Sequence, residues 1–194
     1  MVPYISQRKI PIVDRPRLLI ALMTPPSVSR FAYQIIQDLS DRYRTRTARV
    51  APHITLQAPF HWPKGEISAL EKALTQFKQH HAPIPIHLSG FGAFGKKVLY
   101  IQVQRSQELM AFQASLADYL AQTFLIVDPK TQQRSFSPHI TVASRKLKPQ
   151  TFDHAWQDLK QHSVELNYVN DYFTLLIYDG YQWYSQRDFQ LSEQ

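Results

Sequence analysis

The tetrapeptide Pro-His-Ile-Thr occurs twice in this chain, in APHITLQAPF at 51–60 and in SPHITVASRK at 137–146. Each copy runs into an aliphatic residue, Leu56 or Val142, and His53 and His139 stand 86 positions apart in a chain of 194. A four-residue repeat alone constrains little, because short matches arise by chance. The setting of the two copies constrains more. Each reads as a strand that follows a long amphipathic helix and precedes a shorter one, a shared setting that points to two related lobes, each giving one copy to a common cleft.

The remaining periodicities agree. RLLIALM (17–23) reads as a buried strand closed by Pro25-Pro26. SVSRFAYQIIQDLSDRY (27–43) sets Phe31, Ile35, Ile36 and Leu39 on one helical face behind Ser27 as a cap. Residues 49–60 alternate as a strand and 66–80 form a second amphipathic helix. Strands at 83–94 and 96–104, a long helix at 106–124, the second repeat strand, a short helix near 151–161 and strands near 163–169, 171–179 and 183–191 complete the order. Strands and helices mix without strict alternation, so the class is α+β. We expect one domain over 1–194 built as two pseudo-symmetric lobes. Each has a mainly antiparallel sheet with helices packed outside and gives one repeat strand to a central cleft.

Side chains alternate along a strand. His53 and Thr55 therefore face one way, with Ile54 and Leu56 facing the other, and His139 and Thr141 are related in the same manner to Ile140 and Val142. Across a cleft this gives two imidazoles and two hydroxyls around one small volume. Cleavage of a phosphodiester without metal needs such a set. One imidazole takes a proton from the attacking oxygen and the other gives one to the departing oxygen. The hydroxyls donate to the non-bridging oxygens. A module that binds a nucleotide without turning it over would carry the same residues.

HITL (53–56) and HITV (139–142) together resemble the two-histidine (2H) phosphoesterases, which include the proteins called 2′-5′ RNA ligases and whose mark is a doubled His-x-Thr-aliphatic. The likeness extends over RSFSPHIT, LSGFGAFGKKVLYIQV and FTLLIYDGYQWYSQRDFQL, most of the chain beyond residue 17. It implies a two-lobed fold around a cleft and a metal-independent attack on a 2′,3′-cyclic or 2′-5′-linked phosphodiester. It also implies His53 as the acid toward the leaving group, His139 as the base, and Thr55 and Thr141 as phosphate donors. Ligation is the same chemistry reversed. One departure concerns substrate. Many RNA-acting relatives carry a basic residue two positions after the second aliphatic residue; here that position is Ser144, and the arginine follows as Arg145.

A net charge of +7 favours a phosphate-bearing partner, an RNA end or a nucleotide. Arg42, Arg44 and Arg46 lie two apart, on one face if extended, and Arg145, Lys146 and Lys148 follow the second repeat. Arg44, Arg46 and Arg145 are candidate nucleic-acid contacts, and the same residues also suit a solvated rim. Aromatic residues of the C-terminal strands read as core, with base stacking as the alternative. GFGAFG (90–95) matches a dinucleotide fingerprint, yet a strand-like run follows it where that motif needs a helix, so it reads as a hairpin loop and no cofactor is expected. His61, His80, His81, His87, His154 and His162 show no metal-ligand spacing, so no metal is expected. The chain has no cysteine, and the six-residue apolar run from Leu18 to Met23 is too short for a leader or a membrane span. These features predict a cytoplasmic monomer.

Overall fold

Leu18, Ile20 and Leu22 lie wholly buried on one side of the first strand, while Leu19 and Ala21 are buried on the other, so the apolar run at 18–22 is covered on both faces. In the computed structural model, which describes residues 14–128, 135–144 and 147–192, this run is β1 (Arg17–Met23). The chain continues through α1 (Pro26–Tyr43), β2 (His53–His61), α2 (Ile67–Phe77), β3 (Ile84–Phe94), β4 (Val98–Val103) and α3 (Gln107–Phe124). β5 (His139–Ala143), α4 (Pro149–Leu159), β6 (Glu165–Asn170), β7 (Tyr172–Tyr178) and β8 (Trp183–Gln190) follow. The element order is the one the periodicities predict, and the class is α+β.

The strands form two four-stranded sheets in the orders β2-β1-β7-β8 and β5-β4-β3-β6, and every pairing is antiparallel. Each repeat strand is thus the edge strand of its own sheet, and β2 and β5 approach one another. The helices cross over. α1, which leads into β2, packs on β5 and α4, whereas α3, which leads into β5, packs on β2 and β3. Each repeat strand is therefore backed by the helix that introduces its counterpart. Buried Asn170 joins the sheets where β6 passes into β7, donating to the carbonyls of Met23 at 3.2 Å and Tyr172 at 3.1 Å.

Three local expectations are corrected. α1 starts at Pro26, with Pro25 at the cap position and no side-chain hydrogen bond capping the helix, because proline at the first helical position needs no N–H partner; Ser27 lies inside the helix. α2 is shorter than 66–80, being flanked by 3-10 turns at Lys64–Glu66 and Lys78–His80. The strand expected from residue 49 starts at His53, and residues 44–52 are almost wholly loop.

Candidate active site

β2 and β5 turn alternate residues toward the cleft. Ile54, Leu56, Ile140 and Val142 are buried in the core, whereas His53, Thr55, His139 and Thr141 are half-buried. The two histidines are held alike. His53 Nδ1 lies 2.8 Å from the carbonyl of Ala51, and His139 Nδ1 lies 2.8 Å from the carbonyl of Ser137, two residues back in each case. A carbonyl only accepts, so each Nδ1 donates and each Nε2 is left to exchange protons. Burial lowers the pKa of His53 from its ordinary value, against the pull of the Ala51 carbonyl, and the charge of His139 lowers it further. Burial lowers that of His139 too, opposed by the Ser137 carbonyl. His53, Thr55, Thr141 and Ser144 share a cavity of about 170 Å³ with Leu19, Trp183 and the loop that precedes β2.

α3 supports the first histidine strand directly. Gln113, buried in α3, donates through Nε2 to the carbonyl of Leu56 at 3.2 Å. The register of β2 on β1 passes from Thr55 to Gln57 there, which leaves Leu56 without a partner in the ladder.

His139 sits in an aromatic corner. The Phe94 ring stands edge-on to it with centroids 4.8 Å apart, the Tyr100 ring lies at 5.2 Å, and the two aromatic rings are 4.4 Å from each other. Gly92 makes this possible, because a Cβ there would come within 2.4 Å of the Tyr100 ring. We expect Gly92→Ala to displace that ring and disturb its contacts with Phe94 and His139, lowering turnover several-fold and stability by about 1–3 kcal/mol. In a Tyr100→Ala background, where the ring is absent, the same substitution should cost little further stability. A melting temperature and turnover equal to wild type in Gly92→Ala would refute the close approach.

The basic residues divide. Arg42 lies in the last turn of α1, bonded to Asp38 and Asp158, because the helix runs on to Tyr43. It therefore shares no extended face with Arg44 and Arg46. Arg44 caps α1 in the left-handed conformation, with φ of 57°. Arg46 and Arg49 lie exposed on the loop at 44–52 beside the histidine cavity; Arg49 is missed when only the alternating arginines are read. Arg145 and Lys146 lie outside the described residues. The loop is pinned from both lobes. The carbonyl of Arg46 accepts from the N–H of Ser144 at 2.9 Å, that of Arg49 from Trp183 at 2.9 Å, and that of Pro52 from the hydroxyl of Thr24 at 3.0 Å.

Of the other histidines, His61 bonds the carbonyl of Arg15, His81 packs on the rings of Phe77 and Phe112, and His87 lies between Glu165 and Asn167. His80, His154 and His162 are exposed. Among the described residues no three His, Asp or Glu side chains group so as to hold a metal ion, and no helix is long and apolar enough to cross a membrane. Residues 90–94 belong to β3 and only Gly95 opens the turn into β4, so no helix follows the glycines. The C-terminal aromatics split between core and surface. Phe173 and Phe189 are buried, whereas Tyr181 and Tyr184 are exposed.

The family model described as the 2′-5′ RNA ligase superfamily matches residues 24–182, a span that holds both histidine strands. A Bacillus pumilus protein that bears a phosphoesterase name is 28% identical over 154 residues, which span 75% of this chain and 84% of that protein. A Bacillus cytotoxicus protein with a phosphoesterase name is 32% identical over 123 residues, 59% of this chain and 66% of that one. Among solved structures, E. coli LigT in complex with 3′-AMP superposes with a TM-score of 0.64 at 18% identity, covering 92% of this chain and 99% of LigT. The Thermus thermophilus protein TT0787 superposes with a TM-score of 0.62 at 18% identity, covering 90% of this chain and 97% of that one.

Proposed function

This chain belongs to the 2′-5′ RNA ligase superfamily, the two-histidine phosphoesterases, and from that premise we propose that it is a metal-independent phosphodiesterase. Its substrate is a 2′,3′-cyclic phosphate, or a 2′-5′-linked diester, at an RNA or nucleotide end. The observation that carries this reading is the paired anchoring of His53 and His139, each tied through Nδ1 to the carbonyl two residues back and each followed on its own face by a threonine.

The chemistry follows from those atoms. Nε2 of neutral His139 accepts a proton from water, whose oxygen attacks phosphorus. The bond from phosphorus to the opposite ester oxygen breaks, and Nε2 of protonated His53 supplies the proton that oxygen needs. Thr55 and Thr141 donate to the non-bridging oxygens as charge gathers there. With His53 beside the 3′ oxygen, a cyclic ring opens to a 2′-phosphate. The crystallisation of LigT with 3′-AMP and with ATP supports a nucleotide as the ligand of such a cleft. We read the two lobes as one unit that acts as a cytoplasmic monomer, in keeping with a basic chain free of cysteine.

The test is incubation with 2′,3′-cyclic nucleotides, cyclic-ended RNA and 2′-5′ dinucleotides in excess EDTA. Since two imidazoles supply both proton transfers, turnover should persist under chelation and gain little from Mg²⁺ or Mn²⁺. Activity lost to EDTA and recovered with metal would point to a different mechanism, and absence of turnover across the panel would leave a binding module.

A further inference from the structure

Beside the histidine cavity lies a second pocket of about 480 Å³. The two share a wall, since Ile36, Thr47, Ala48, Val50, Ala51 and Trp183 line both. The second pocket adds the two arginines of the loop, Arg46 and Arg49, together with Gln37, Ser40 and Thr45. Its chemistry is that of an anion site. Among the described residues neither guanidinium has a carboxylate partner, whereas Arg42 and Arg187 do. Arg49 lies 3.6 Å over the ring of Tyr181. Stacking occupies the face of a guanidinium and leaves its in-plane N–H donors free for two oxygens of one phosphate. The hydroxyl of Thr45 is buried and, among the described residues, has no hydrogen-bond partner. The backbone bonds from Ser144 and Trp183 to the carbonyls of Arg46 and Arg49 fix the loop that carries all of this.

We propose that this pocket holds a second phosphate of the same substrate molecule, the 5′-phosphate of the nucleotide whose 2′,3′ end occupies the histidine cavity. The proposal rests on the reading of that cavity as a phosphodiester site. It makes the protein selective for nucleotides phosphorylated, or joined to a further nucleotide, at the 5′ position. The ribose lies along the shared lining, the reacting phosphorus sits against His53, Thr55 and Thr141, and Arg46 and Arg49 neutralise the charge at the other end.

Binding decides this without requiring turnover. Calorimetry would compare adenosine 2′-phosphate with adenosine 2′,5′-bisphosphate on the wild-type protein and on Arg46→Gln, Arg49→Gln and the double variant. Both side chains are exposed, so melting temperatures should stay close to wild type. The bisphosphate is expected to bind at least about tenfold more tightly to the wild type, as suits bidentate charge-assisted contacts. That advantage should shrink in each single variant and nearly vanish in the double variant. Equal affinity of the two ligands for the wild type, or an advantage that survives in the double variant, would overturn the proposal. Inorganic phosphate at the same concentration should displace little of the bisphosphate. If it abolished the advantage, the pocket would take free phosphate and a linked 5′-phosphate would be the wrong ligand. Hydrolysis of the corresponding cyclic nucleotides is a separate readout. Its absence would defeat the phosphodiesterase reading while the affinity comparison still decided the pocket.

Discussion

His53→Ala and His139→Ala are each expected to lower turnover of the best cyclic phosphodiester by at least about a hundredfold, the usual worth of a positioned acid or base. Without His53 the departing oxygen must leave as a poorly solvated alkoxide. Without His139 the attacking water keeps its proton while its oxygen bonds to phosphorus. The double variant should lose less than the product of the two losses, because either half of the pair is of little use alone. Thr55→Val and Thr141→Val should each cost less than either histidine variant, since one hydroxyl donor remains in either case. The fold should be spared. Each imidazole is half-buried on the cleft face and holds a backbone carbonyl two residues back, a contact worth about 1 kcal/mol. Circular dichroism and melting temperature check this beside steady-state rates. A wild-type rate in either single histidine variant, with the fold intact, would falsify the acid–base assignment.

What the sequence made legible is what repeats locally. Alternation along 53–56 and 139–142 is a property of the strand itself, so the separation of His and Thr from their aliphatic neighbours could be read directly. The helix at 106–124 could be read too, since Ser106 caps it through a bond to the N–H of Leu109. What escaped depends on distant partners. Nothing in residues 27–43 tells that this helix packs on β5 rather than on the strand it leads into. Arg42 shares a face with Arg44 and Arg46 only if that stretch is extended, whereas the helix persists to Tyr43 and hands Arg42 to Asp158, 116 positions on. The end of the loop at 44–52, from Arg49 on, reads as the start of a strand because Arg49 and Val50 precede the repeat. The loop's carbonyls are taken instead by Ser144 and Trp183, far along the chain. Gly92 could have been singled out as a glycine inside a strand pattern, which often marks a close approach, but its partner Tyr100 lies on the next strand.

The pH profile of kcat/KM is expected to be a bell displaced to the acid side of 6.5, the ordinary histidine value. Its acid limb belongs to the base, because His139 must be neutral to accept a proton, and its alkaline limb belongs to the acid, because His53 must be protonated to give one. Both groups are lowered by burial, and His53 also by the charge of His139, so the fraction of free enzyme with the required protons peaks below 6.5. The pair titrates as a unit with two apparent values. Above the higher of them the rate should fall about tenfold per pH unit. A bound phosphodiester brings negative charge between the imidazoles and favours their protonated forms, so the kcat profile should lie at higher pH than that of kcat/KM. Folding is linked with a definite sign. Because the folded-state values are depressed, the two histidines contribute stability that is present above about 6.5 and is lost as pH falls through the folded values. His53→Gln should therefore flatten the decline in melting temperature on the acid side. Initial rates and melting curves from about pH 4.5 to about pH 9 measure both effects. A kcat/KM optimum well above 7, with chemistry shown to limit the rate, would mean that neither imidazole is held in the low-dielectric setting the cleft describes. The proton donor would then have to be sought in another group.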